Sequence, residues 1–135
     1  MLQEFLAWLS VCNRNLKFTE QISKVKVEFL DIWIQDKEGT LEVNLHVKLT
    51  ARNTLLHFSS YHPNCQKDSI PFGQFLRLRR NHTAMTDFMY NGEILKSKLI
   101  CRGYPKKLVS HALKRAKYYN REALLQPRVK SRDSE

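Results

Sequence analysis

Lys107, Ser110, Lys114, Lys117 and Arg121 recur at spacings of three and four, with Lys106 beside them. Residues three and four apart share one face of an α-helix, so these side chains form a single row. No acid interrupts the row before Glu122. Leu108, Ala112, Ala116 and Tyr119 take the opposite stripe, supported by Val109, Leu113 and Ala123. A row of cations with an apolar back suits the neutralisation of successive phosphates. Each phosphate neutralised on duplex DNA contributes about 0.9 to the salt dependence of binding. Ser110 is small enough for a phosphate backbone to approach. Asn, Gln and Arg, the residues suited to bidentate base contacts, are scarce on this face. The row is therefore expected to grip a backbone rather than read bases. Arg77 and Arg80, with Lys96, Lys98 and Arg102, extend the patch onto the preceding helices.

The residue types of other chemistries do not assemble. His57, His62 and Cys65 are close in sequence, but no C-x-x-C pair accompanies them and a structural zinc site needs four ligands. Cys12 and Cys101 lie in no nucleophile motif. Asp31 and Asp36 are not adjacent, as two-metal chemistry would ask. There is no glycine-rich phosphate loop. Asn81-His82-Thr83 fits a glycosylation sequon, here read as chance because no secretory signal is recognised. No catalytic site, no metal site and no cofactor are expected.

Charge and composition agree with a polyanion partner. The chain has 135 residues, a formal net charge of +10 and 42% hydrophobic residues. Residues 1–66 hold as many acidic as basic side chains, whereas residues 77–130 hold fourteen basic and three acidic ones. The field therefore belongs to the C-terminal half, and a one-sided field attracts nucleic acid. A solvated lysine surface is the competing reading. Three scattered cysteines argue against a disulfide scaffold, and no apolar stretch reaches the roughly 18–20 residues that span a bilayer. An intracellular protein, nuclear or cytoplasmic and not secreted, is expected. Nucleic acid is the expected partner, with no membrane and no small-molecule substrate.

The elements that must position the row read as an α+β fold. Residues 1–13 form a short helix whose Phe5 and Trp8 are expected to dock on the sheet that follows. Period-two patterning then marks about three antiparallel strands, starting with Leu16 and Phe18. The change of parity at Phe29-Leu30 predicts a bulge or a strand buried on both faces. Asp36-Lys37-Glu38-Gly39 predicts a four-residue-class hairpin turn with Gly39 at positive φ. Leu41, Val43, Leu45, Val47 and Leu49 alternate along the last strand. Residues 51–71 read as a connector punctuated by Pro63 and Pro71. Pro71 is expected in the first turn of a helix to about Asn81, capped by Ser69 or Asp68. Thr83 or Thr86 opens a second helix to Arg102, with Asn91-Gly92 inside it. Gly103 stops that helix, and Pro105 starts a third that runs to about Leu125. The organisation is then residues 1–50 helix and sheet, 51–71 connector, 72–125 a three-helix, helix-turn-helix-like bundle, and 126–135 a disordered tail.

Several strings resemble the post-catalytic region of a reverse transcriptase of Penelope-like or related animal retroelements. They are Phe29-Leu30-Asp31, Asn53-Thr54-Leu55-Leu56-His57-Phe58-Ser59-Ser60-Tyr61-His62-Pro63, Ser69-Ile70-Pro71-Phe72-Gly73-Gln74-Phe75-Leu76-Arg77-Leu78-Arg79-Arg80 and Arg102-Gly103-Tyr104-Pro105. The resemblance covers residues 15–125. It implies that residues 15–20 close the palm and that Phe29, Leu30 and Asp31 are primer-grip-like. It implies further that the helices beyond Pro71 are a thumb, described in that family as a helix-turn-helix region, which holds a DNA or RNA/DNA duplex by its backbone. Lys48-Leu49-Thr50-Ala51 departs from the family's lysine-proline-threonine-aspartate string. The family's paired-Asp polymerase motif would fall upstream of Met1, so the chain is expected to be a non-catalytic remnant. A domesticated helix-turn-helix protein that binds DNA or another protein, and a gene fragment without function, are the alternatives.

Overall fold

The computed structural model describes residues 2–12, 20–48 and 52–126. Leu16, Phe18, Leu49, the palm-closing segment up to residue 19 and the tail from residue 127 lie outside the described residues. The elements run α1 (Leu2–Cys12), β1 (Lys26–Phe29), β2 (Ile32–Lys37), β3 (Thr40–Leu45), α2 (Asn64–Asn81), α3 (Met85–Cys101), α4 (Lys106–Lys117) and α5 (Arg121–Leu125). The expected α+β architecture, a short helix and a three-stranded antiparallel sheet followed by a helical bundle, is what forms.

The strands follow one another as a meander in the order β1-β2-β3. Phe29 pairs with Ile32, so Leu30 and Asp31 are the two residues of a tight turn, with Leu30 at φ 56. The parity change at Phe29-Leu30 is thus a hairpin turn, not a bulge or a doubly buried strand. Two residues in the turn return Ile32 to the face of Phe29. In the second hairpin Lys37 pairs with Thr40, and Glu38 (φ 53) and Gly39 (φ 80) form a two-residue turn. Positive φ at both central residues matches the twist of the flanking strands, which makes the shorter turn the favoured one. Gly39 N–H donates to Asp36 Oδ1 at 3.0 Å.

Register sorts the sheet into an apolar face (Val27, Phe29, Ile32, Ile34, Val43, Leu45) and a polar one (Lys26, Glu28, Trp33, Gln35, Glu42, Asn44). None of the strand residues is buried. The sheet meets the helices at its edge. Thr83 N–H donates to Val43 O and Val43 N–H donates to Thr83 Oγ, both at 2.9 Å, while Leu45 packs against the helical core. Phe5 and Trp8 do not bury against the sheet as expected. They stack on each other with centroids 6.2 Å apart and remain 53% and 59% exposed.

Among the described residues the core lies wholly in the helical part: Phe75, Leu78, Phe88, Leu99, Tyr104, Val109, Ala112, Leu113 and Ala116 are buried there. Several expected boundaries move. α2 starts at Asn64 after Pro63, and neither Ser69 nor Asp68 caps it. Pro71 is instead an interior residue, fully buried, and Ser69 Oγ donates to Gln66 O at 2.8 Å. Burial of Pro71 and Phe75 holds the helix through the missing N–H. α3 starts after Ala84, not at Thr83 or Thr86, because the Thr83 hydroxyl is engaged by Val43. α3 and α4 approach closely at Gly92: a Cβ there would lie 2.9 Å from Leu113 Cδ1. The expected long third helix is two helices. α4 stops at Lys117, and Asn120 Oδ1 accepts from Glu122 N–H at 2.8 Å to start α5.

Candidate nucleic-acid interface

α3, the turn at residues 102–105 and α4 follow one another as helix, short turn and helix. Gly103 (φ 84) ends α3: Gly103 N–H donates to Ile100 O at 2.9 Å and Tyr104 N–H to Leu99 O at 3.2 Å. This pair of bonds is a Schellman motif, and burial of both Leu99 and Tyr104 supplies its apolar contact. Pro105 then opens α4, one residue outside the helix rather than within its first turn.

The segment before α2 clamps the turn. Phe58 N–H donates to Arg102 O at 2.9 Å, the Arg102 guanidinium donates to Asn53 O, and the Asn53 amide donates to Lys98 O at 3.3 Å. The Phe58 ring lies 5.2 Å from that of Tyr104. Lys67, itself buried, donates to Ser60 O at 3.1 Å. The prolines of this stretch predict a connector, whereas the bonds above make it part of the packed unit. Leu55 and Phe58, large apolar side chains that pack against the core, are the sign in the sequence that this segment is not a free linker.

α4 turns Val109, Ala112, Leu113 and Ala116 into the core and leaves Lys106, Lys107, Ser110, Lys114 and Lys117 exposed. Among the described residues none of these five side chains makes a hydrogen bond or ion pair. Ser110 differs in this from Ser69 and Ser97, whose hydroxyls bond back to Gln66 O and Glu93 O of their own helices. The back of α4 is as expected except at its end, where Tyr119 is 39% exposed against Phe72, and Ala123 is exposed. Lys114, Arg115 and Lys117 occupy the last turn, where cations favour the helix dipole.

The arginines, unlike the lysines of this row, are engaged within the protein. Arg121 Nε donates to Arg80 O at 3.1 Å and Arg80 Nε to Leu124 O at 3.0 Å, which ties α5 to α2. Arg77 pairs with Asp31 at 3.0 Å. Arg115, a residue the spacing did not single out, lies 4.1 Å over the Phe72 ring. Of the hairpin residues Phe29, Leu30 and Asp31, only Asp31 is brought to a helix; Phe29 and Leu30 are exposed.

The order of helix, turn and basic amphipathic helix is now placed in space, and it has a counterpart among known families. Residues 54–114 match the model of the animal helix-turn-helix domain. That helix-turn-helix match begins at the clamp segment and ends within the lysine row of α4. No curated protein and no solved structure matches the chain. Among the described residues no helix is long and apolar enough to cross a membrane, and no group of His, Cys, Asp and Glu could hold a metal ion.

Proposed function

We propose that the chain is a non-catalytic nucleic-acid-binding module that grips duplex backbone through α4. The observation that carries this is the row Lys106, Lys107, Ser110, Lys114 and Lys117: exposed, without partners among the described residues, and set on a helix whose other side is core. Phosphate contacts of this kind position a protein without reading sequence. Arg77, Arg80 and Arg121 belong to the same interface only where their internal bonds leave donors free. The match to a helix-turn-helix domain supports the class of partner. The strings quoted above support descent from a retroelement reverse transcriptase, with the helices in the role of a thumb and Phe29, Leu30 and Asp31 as its primer-grip counterpart. In that reading residues 1–50, 51–71 and 72–125 correspond to palm end, connector and thumb.

Competition binding tests the grip against sequence reading. The expected result is an affinity for scrambled DNA duplex and RNA/DNA hybrid within about tenfold of that for any selected site. Specific readers discriminate by roughly 10³-fold or more. Discrimination of that size would favour the domesticated sequence reader instead.

A further inference from the structure

Between the end of β3 and the faces of α2 and α3 lies a cleft of about 450 Å³, within the range that accepts small ligands. No residue of α4 lines it, so it is separate from the lysine row. Its floor is apolar, made by Leu45, Leu78, Ile94 and Leu95. Two cations, Lys48 and Lys98, stand at its rim, and their ammonium groups have no partner among the described residues. Asp31 and Arg77 also border it, but they pair with each other at 3.0 Å. The uncompensated charge of the cleft is therefore positive.

Asn91 lines the same cleft and is held in one orientation. His82, fully buried, places Nδ1 2.8 Å from Leu78 O, a group that only accepts, so the ring proton is on Nδ1 and Nε2 accepts. The Asn91 NH2 meets both that Nε2 and Asp87 O, each at 3.0 Å. What remains of Asn91 for the cleft is Oδ1, an acceptor. An apolar floor, a fixed acceptor and a cationic rim together suit a planar base that carries an amine and is joined to a phosphate.

We infer that this cleft binds a nucleoside monophosphate unit bearing an exocyclic amine, either free or as one unpaired nucleotide of a strand. The base lies over Leu78 and Leu95, its amine donates to Asn91 Oδ1, and the phosphate meets Lys48 and Lys98. Cytosine offers an amine where uracil offers a carbonyl oxygen, so the two distinguish the acceptor directly.

Titration of the full chain with CMP, UMP and a short single-stranded oligocytidine, followed by calorimetry, tests this. CMP is expected to bind about 5- to 10-fold tighter than UMP, the effect of one hydrogen bond to a partner left unpaired. Lys48→Ala with Lys98→Ala is expected to weaken binding by about tenfold or more. Lys114→Ala with Lys117→Ala is expected to leave CMP binding unchanged, which separates this site from the α4 interface. CMP binding identifies the free nucleotide as ligand; oligocytidine binding that depends on Lys48 and Lys98, without CMP binding, identifies an unpaired strand. No binding of either, equal binding of CMP and UMP, or indifference to Lys48 and Lys98 overturns the inference.

Discussion

Tyr104 carries the clearest chemistry of any single side chain in the core. It is 2% exposed, its ring packs on Phe58, and its hydroxyl has no hydrogen-bond partner among the described residues. Burial, and to a smaller degree the charge of Asp68, raises its pKa above the ordinary 10.0. The folded value lies above the unfolded one, so the contribution of this group is fully present below about pH 10 and is lost as pH rises through the folded value. Tyr104→Phe removes a hydroxyl that has no bond to lose. It is expected to match the wild type at pH 7 within about 1 kcal/mol and to keep stability at alkaline pH that the wild type loses. Denaturant melts of the two proteins at both pH values check this; equal alkaline losses would contradict it. The turn itself shows why Arg102-Gly103-Tyr104-Pro105 is a recognisable string. Gly103 must take φ 84, which costs other L-residues roughly 1–2 kcal/mol, Tyr104 must fill the core, and Pro105 must release the chain into α4.

At the scale of elements, the sheet and the bundle are joined by few bonds, and Thr83 is central to them. Thr83→Val keeps the shape and removes the acceptor for Val43 N–H. The expected cost is about 1–3 kcal/mol for a partly buried donor left unpaired, with faster amide exchange at Val43 and little change at Val109. Thr83→Ser keeps the hydroxyl and is expected to exchange like the wild type; protection at Val43 that survives Thr83→Val would contradict this role. Elements that depend on local rules were legible in the sequence. The α4 amphipathic pattern, the Gly103 stop and the Gly39 turn all follow from spacing and φ preference. Elements decided by tertiary contact were not. Nothing local announces that Thr83 serves a strand forty residues away rather than a helix cap, or that Pro71 is carried inside α2 by burial. Gly92 reads locally as a helix weakener of about 1 kcal/mol relative to Ala. In the fold it makes room for Leu113.

Across the whole molecule, charge and core divide the labour. The core belongs to α2, α3 and α4, and the sheet contributes only the half-buried Leu45 to its margin. The net charge of +10 is concentrated in the C-terminal half, and the fold sorts those cations further. Arg77, Arg80 and Arg121 tie elements together, while four lysines of α4 remain available to a polyanion. The sequence alone showed the row but not this sorting, because the partners of the arginines lie more than forty residues away in the chain. The most direct test of the central claim is the salt dependence of duplex DNA binding, measured for the wild type and for a variant with Lys106→Ala, Lys107→Ala, Lys114→Ala and Lys117→Ala. Alanine preserves α4, being the strongest helix former. Four neutralised phosphates predict a log–log slope of about −3.6 for the wild type, falling to about −1 or nearer zero in the variant. A wild-type slope near zero, or the same slope in both proteins, would contradict the account.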